Sequence, residues 1–86
     1  MEWRTQKEIE QALEEAEAKV WYDRNAMLES KRDVPHPDAT KAAKEIEEKY
    51  GEENVGPYTD FEWGELCGKL STLRWLMGNE WGNLDS

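Results

Sequence analysis

The sequence predicts an all-α protein, a small three-helix bundle that forms a single domain over residues 1–86. Three observations support this fold class. Apolar residues recur three and four positions apart in three segments, which is the spacing of an amphipathic helix. Two of these segments begin with a Thr that is followed three residues later by a Glu, the capping box of a helix N-terminus. Two linkers, PHPD and GEENVGPY, separate the segments.

The first helix is predicted from about 5 to 32. Thr5 can accept from the third backbone N–H of the helix, while the Glu8 carboxylate reaches back to the capping residue. The apolar row that should face the core consists of Ile9, Leu13, Ala16, Val20 and Met27. At 1.5 Å per residue this helix would be about 40 Å long. We therefore expect the two shorter helices to pack antiparallel along it.

The second helix is predicted from about 38 to 50, with Asp38 as its N-cap and Gly51 just past its end. The apolar stripe is mostly alanine, so this helix should lie close to its neighbour. His36, Pro37 and Asp38 also match the three-residue motif of J-domains. The basic helix that precedes that motif in J-domains is missing, so we interpret these residues as a stiff linker.

The third helix is predicted from about 60 to 77 and ends at Gly78. Thr59 and Glu62 form its capping box, while Tyr58 and Trp63 are spaced as a hydrophobic staple. This is the most apolar segment, so we expect it at the centre of the bundle with the other two helices around it. In the short tail that follows, Trp81 and Leu84 are expected to turn back onto the bundle.

The third helix has two contrasting faces. The aliphatic face consists of Trp63, Leu66, Leu70, Leu73 and Met77; the opposite face consists of Phe61, Gly64, Gly68, Thr72 and Trp75. Interior glycines cost a helix about 1 kcal/mol each relative to alanine, whereas small residues four apart let another backbone approach closely. We interpret the glycine face as a close helix–helix contact, within the chain or across a dimer. The alternative is a pocket for a flat ligand between Phe61 and Trp75.

The composition excludes several classes of partner. The formal net charge is −9, from 20 acidic and 11 basic residues, which makes nucleic acid and anionic membranes poor partners. No apolar run approaches the length of a transmembrane helix. Cys67 is the only cysteine, so no internal disulfide can form, and its free thiol is typical of a cytoplasmic protein.

The sequence offers no recognisable catalytic machinery. His36 is the only histidine, and one His with Cys67 is too few for a metal site. We find no nucleophile paired with a base and no Gly-rich phosphate loop. The sequence therefore predicts a non-enzymatic protein with no catalytic residue, no metal and no cofactor.

The first helix carries a second row of residues beside its core row. It consists of Glu10, Glu14, Glu17, Trp21, Arg24 and Leu28. One interpretation is that Trp21 and Leu28 cover the tail or a second copy of the chain. The other is an acidic docking face for a basic protein, in which Trp21 and Leu28 supply the apolar anchors and the glutamates attract the partner.

The last third of the chain carries a resemblance to a known group. GPYTDFEWGELCGKLSTLRWLMGNEWGNLDS, from Gly56 to Ser86, resembles the C-terminal segment of short uncharacterised proteins of actinobacteria and their phages, whose pattern DFEWGxLxGKLSxLRWxxGxEWxxLD spans Asp60 to Asp85 here. Asn79 and Gly82 stand where acidic residues are common in that group. The resemblance implies a phage-associated setting and no particular chemistry.

Two functions remain open from the sequence. The first is an acidic protein-interaction protein, with an inhibitor or regulator of a host nucleic-acid-handling (defence) protein as its specific form and carboxylate rows in place of phosphates. The second is a helical oligomer that binds or sequesters an aromatic metabolite or nucleotide. We expect a basic protein partner, and a homodimer is slightly favoured because so short a chain is marginally stable alone.

Overall fold

The computed structural model describes residues 2–29 and 37–81. Three α-helices follow one another in this part of the chain: α1 over Gln6–Glu29, α2 over Pro37–Tyr50 and α3 over Asp60–Leu76. A short 3₁₀ helix, Glu52–Asn54, lies between α2 and α3. None of the described residues lies in a strand, so the all-α three-helix prediction is confirmed. The predicted end of the first helix near residue 32, His36 and Leu84 lie outside the described residues.

Both predicted capping boxes are present. The Thr5 backbone N–H donates to Glu8 Oε1 at 3.0 Å, and the Glu8 N–H donates to Thr5 Oγ1 at 3.1 Å. The same reciprocal pair joins Thr59 and Glu62 at 2.9 and 3.1 Å. These bonds satisfy backbone donors that have no partner inside the helix. They explain why α1 and α3 begin where they do.

The predicted staple and the C-terminal stops are also present. The rings of Tyr58 and Trp63 lie 6.4 Å apart between centroids. Gly51 after α2 and Gly78 after α3 have φ values of 91° and 102°, which glycine adopts without steric cost. Past α3, the Asn79 N–H returns to the carbonyl oxygen of residue 74 at 2.9 Å, the six-residue bond of a Schellman motif.

Asp38 lies in the first turn of α2 and not at its N-cap, because the helix begins one residue earlier than predicted, at Pro37. The difference is small in physical terms. Proline has a φ that suits the first helical position and lacks an N–H that would be unpaired there. A carboxylate in the first turn still interacts favourably with the helix dipole.

The centre of the bundle is α1, and the prediction that α3 holds this place is wrong. Both α2 and α3 contact α1, while α2 and α3 do not contact each other within the described residues. The physical reason is that α1 offers two faces. Its apolar residues Ala16 and Val20 pack against α3, and its polar residues Glu14 and Tyr22 bond to α2. The outward face of α3 is rich in aromatic residues, but no helix of the described chain packs on it.

Both shorter helices run antiparallel to α1. On the α2 side, Lys49 Nζ pairs with Glu14 Oε1 at 2.9 Å. Glu47, which precedes Lys49 in α2, accepts a hydrogen bond from Tyr22, which follows Glu14 in α1. On the α3 side, Leu76 at the end of α3 lies beside the start of α1. Leu66, nearer the beginning of α3, lies beside the middle of α1. The residue numbers therefore fall along α2 and α3 as they rise along α1.

The core lies between α1 and α3. Ala16, Val20 and Leu70 form its buried centre, at 5%, 3% and 2% exposure, and the half-buried side chains around it are Leu13, Trp63, Leu66 and Leu73. Val55, in the connection between α2 and α3, is also buried. The aliphatic face of α3 is thus largely where the sequence predicts it.

Two residues assigned to the predicted core faces are exposed instead. Met27 is 60% exposed because it lies a turn beyond Asp23, the level at which Gly56 approaches α1. The residues of α1 that belong to the core with α3 are Leu13, Ala16 and Val20, all of which precede this level. Met77 is 36% exposed because it is the C-cap residue of α3, at the edge of the packed region.

None of the helices in the described part of the chain is both long and apolar enough to cross a membrane.

Candidate interaction surfaces

The second row of α1 lies at the surface. Its members Glu10, Glu14, Glu17, Trp21, Arg24 and Leu28 are all exposed. Trp21 exposes 38% of its surface and Leu28 exposes 53%. The helix therefore presents these side chains together, and their role in binding a partner stays a prediction.

The glutamates of this row have partners inside the chain, which the sequence analysis missed. Lys49 pairs with Glu14 at 2.9 Å, and Arg74 Nε lies 3.7 Å from Glu17 Oε1. The contact with Glu14 raises the pKa of Lys49. One feature of the sequence could have indicated these ion pairs: Lys49 and Arg74 are the basic residues in the last turns of α2 and α3. The row is consequently less negative than its glutamates alone suggest.

A recess lies beside Trp21, between α1 and α3. Its volume is about 350 Å³, and it is lined by Glu17, Val20, Trp21, Arg24, Leu70 and Arg74. Leu70 and Val20 are core residues, so the recess reaches the edge of the core. Val20 and Leu70 give it an apolar part next to the core, and its charged lining residues have both signs, with Arg74 itself buried at 7% exposure. Such a recess suits an apolar side chain presented by a partner.

The outward face of α3 is exposed. Phe61 exposes 80% of its surface and Trp75 exposes 49%. A Cβ added at Gly64 or Gly68 would meet nothing within 4 Å. No helix of the described chain therefore packs closely on these glycines, so the intrachain form of the predicted contact finds no support there. The dimer contact and the ligand pocket stay predictions.

The tail begins by turning back onto this face. Trp81 packs edge-on against Trp75, with ring centroids 5.4 Å apart and an interplanar angle of 86°. Trp81 itself remains 73% exposed. On the same face, the Thr72 hydroxyl donates to the Gly68 carbonyl oxygen at 2.9 Å, a bond within the helix.

A larger groove, which the sequence analysis missed, runs along the other side of the α1–α3 contact. Its volume is about 710 Å³. Ala12, Ala16, Leu66 and Leu73 form its apolar part, and Gly68 and Thr72 reach its edge, whereas Phe61 and Trp75 are not among its lining residues. It could not be predicted from the sequence because it depends on which side of α1 packs on α3.

Charged side chains at the groove are paired along their own helices. Lys19 Nζ lies 3.0 Å from Glu15 Oε2, and Lys69 Nζ lies 3.1 Å from Glu65 Oε1. Both lysines line the groove. They bring positive charge to its rim, although each is already close to a carboxylate.

The described residues contain no group of three or more metal-ligating side chains. Cys67 is a free, half-buried thiol. The absence of enzymatic activity, of a metal and of a cofactor stays a prediction from the sequence.

The fold and these surfaces define the class of protein: a small all-α protein with several aromatic side chains exposed at its surface. Comparison of the chain with protein-family models, with characterised proteins and with solved structures gives no match.

Proposed function

We propose that this chain is an acidic protein-interaction protein that binds a basic protein through the second row of α1. One observation carries the proposal: Trp21 remains 38% exposed beside a recess between α1 and α3. Tryptophan is enriched among the residues that contribute most to binding free energy at interfaces. Leu28, 53% exposed two turns further along α1, supplies a second apolar contact.

The charge of the chain supports a basic partner. The formal net charge is −9, so the field of the whole molecule attracts cations even though Glu14 and Glu17 are paired. Glu10 accepts a bond from the Gln6 amide at 3.1 Å, and that contact leaves its negative charge uncompensated. Charges of this kind act mainly on the rate of encounter and on specificity.

The specific form that we propose is inhibition or regulation of a protein that handles nucleic acid. Such a protein has a basic binding surface, because phosphate recognition requires one. An acidic helix row can occupy that surface with carboxylates in place of phosphates. The phage-associated setting that follows from the resemblance of the C-terminal segment agrees with this form.

A second candidate function rests on the α1–α3 groove. Its volume of about 710 Å³ falls within the range of about 300–1,000 Å³ that is typical of ligand sites. Its apolar side chains and the two rim lysines would suit an aromatic metabolite or a nucleotide. This candidate predicts saturable binding of such a ligand in a calorimetric titration, with no effect of Trp21→Ala on the affinity, since Trp21 does not line the groove.

The test of the first function compares three variants in binding kinetics against a basic protein isolated with the chain. Trp21→Ala should speed dissociation roughly thirtyfold, which corresponds to about 2 kcal/mol of lost anchor contact. Glu10→Gln should slow association and weaken its dependence on salt. Trp3→Ala is the matched control, since Trp3 is 88% exposed and lies outside the row.

The control should bind like the parent. If Trp21→Ala mainly lowers the melting temperature and leaves the dissociation rate unchanged, Trp21 belongs to the fold and the proposed docking face is wrong. We chose Glu10 over Glu14 and Glu17 because these two form ion pairs with other helices, and their substitution would also affect stability.

A further inference from the structure

The exposed face of α3 is symmetric about Gly68. Phe61 lies seven residues before this glycine and Trp75 lies seven residues after it. Gly64 and Thr72 lie four residues before and after it. Along a helix with a rise of about 1.5 Å per residue, two aromatic side chains therefore stand about 21 Å apart with small residues between them.

We propose that this face is the seam of an antiparallel homodimer, with the two-fold axis passing beside Gly68. In a two-fold dimer the same patch faces itself. Antiparallel α3 helices would place Phe61 against the second copy's Trp75, and Gly64 against the second copy's Thr72. Gly68 would meet its own symmetry mate. Each aromatic ring then covers the end of the facing helix while the two backbones approach at the centre.

The glycines supply the first argument. Glycine is the least favourable residue after proline inside a helix. In the described chain nothing lies within 4 Å of a Cβ built at Gly64 or Gly68, so packing against α1 does not require them. A second backbone on this face would require small residues at both positions.

The exposed area supplies the second argument. Phe61, Trp75 and Trp81 expose 80%, 49% and 73% of their surfaces, together about two whole aromatic side chains. At about 150–250 Å² for each side chain, this is roughly 300–500 Å² per copy. Two copies would bury roughly 600–1,000 Å² from these rings alone. Specific interfaces bury about 1,200–2,000 Å² in total, so the rings provide a large share of what a stable dimer needs.

The distribution of charge supplies the third argument. With a net charge of −9 per copy, most faces of two identical chains repel one another. Along the outward face of α3, the stripe residues themselves are uncharged. The neighbouring Glu65 is paired with Lys69 at 3.1 Å. Between Phe61 and Trp75 this face is therefore one on which a second copy meets little like charge, and the exposed Asp60 and Glu80 lie at its two ends.

The first experiment measures the mass in solution by light scattering. The wild type should show about twice its chain mass of 10.1 kDa. Gly68→Leu should show a single chain mass with unchanged helical circular dichroism, because a Cβ at this position meets nothing within 4 Å among the described residues, whereas the leucine side chain would occupy the seam. Lys41→Leu places the same side chain at an exposed position of α2 and should remain dimeric. A monomeric wild type would overturn the proposal.

The second experiment tests the orientation by disulfide formation in a Cys67→Ser background. Gly68→Cys should form a covalent dimer on oxidation, since Cα atoms near the axis can come within the 4.4–6.8 Å that a disulfide spans. Gly64→Cys alone should not, because its two copies would be about 12 Å apart along the antiparallel helices. Mixing Gly64→Cys with Thr72→Cys should restore the cross-link.

These cross-links keep the orientation testable if Gly68→Leu fails to fold. Cross-linking of Gly64→Cys with itself as efficiently as Gly68→Cys would indicate parallel helices and overturn the proposal. Failure of Gly68→Cys to cross-link would also overturn it. The seam lies on α3 and the proposed docking row on α1, so either proposal can fail while the other stands.

Discussion

The Tyr22 hydroxyl on α1 donates a hydrogen bond to the Glu47 carboxylate on α2. This bond contributes to holding α2 in place, because α2 has no buried residue of its own. The hydrogen bond raises the pKa of Tyr22 from 10.0 to about 12, and burial and the charges of Glu47 and Glu52 act in the same direction. A polar contact therefore supplies part of the stability of the α1–α2 interface, whereas apolar packing stabilises the contact between α1 and α3.

Tyr22→Phe should lower the free energy of unfolding by about 1–2 kcal/mol, because it removes a hydrogen bond to a charged acceptor. Thermal melts followed by circular dichroism measure this loss. Because the folded pKa of Tyr22 is raised, the stabilisation is present in full below pH 10.0 and disappears as the pH rises through about 12. Glu47→Gln should return the tyrosinate absorbance titration toward its ordinary range. An unchanged titration would show that the bond does not persist in solution.

Thr59→Ala should destabilise the protein by about 1 kcal/mol, because it removes the side chain that accepts from the Glu62 N–H. For a domain of this size such a loss lowers the melting temperature by about 4–8 °C. Thr59→Ser is the matched control, because it keeps a hydroxyl that can accept from the Glu62 N–H, and we expect little change in the melt.

Acid should weaken both capping boxes. Bonds from the Thr5 backbone and hydroxyl, and then from Arg4, lower the pKa of Glu8; bonds from the Thr59 backbone and hydroxyl lower the pKa of Glu62. A carboxyl whose folded pKa is depressed contributes stability above its unfolded value, 4.5 here, and loses it as the pH falls. Urea unfolding at a series of pH values should show this loss. Glu62→Gln should have a shallower acid dependence than the wild type, and an equal slope would contradict the assignment.

Chelation should leave the fold unchanged. Within residues 2–29 and 37–81 no cluster of three or more His, Cys, Asp or Glu side chains is arranged to hold a metal. Metal-dependent domains lose stability when the ion is removed, because binding free energy contributes to folding. Circular dichroism and the melting temperature should therefore be the same with and without chelator. A lower melting temperature with chelator would reveal a carboxylate site that sequence analysis missed.

Local signals in the sequence predicted the elements well. The Thr59–Glu62 box, the Tyr58–Trp63 staple and the glycines at 51 and 78 depend on residues within one or two turns, so their geometry follows from the local sequence. These features explain why the helix bounds agree within a few residues wherever the chain is described.

Relations between helices were harder to predict. The ion pair of Glu14 with Lys49 joins residues 35 positions apart, and a helical wheel of α1 alone does not show it. The same holds for the exposure of Met27, which depends on where the connection to α3 crosses α1. The groove between α1 and α3 likewise exists only once the packing angle between the two helices is fixed.

The same substitution at Leu70 and at Leu28 separates the core from the proposed docking row. Leu70→Ala should cost about 2–5 kcal/mol, because Leu70 is 2% exposed at the centre of the α1–α3 core and its removal leaves a cavity. A core this small supplies only about 3–5 kcal/mol of net stability, so much of the Leu70→Ala protein should be unfolded at room temperature. Leu28→Ala removes the same atoms from a side chain that is 53% exposed, and it should change the free energy of unfolding by less than about 1 kcal/mol. Urea unfolding of both variants measures the difference. A large loss for Leu28→Ala would place Leu28 in the fold and remove it from the docking row, whereas a small loss for Leu70→Ala would contradict the core described above.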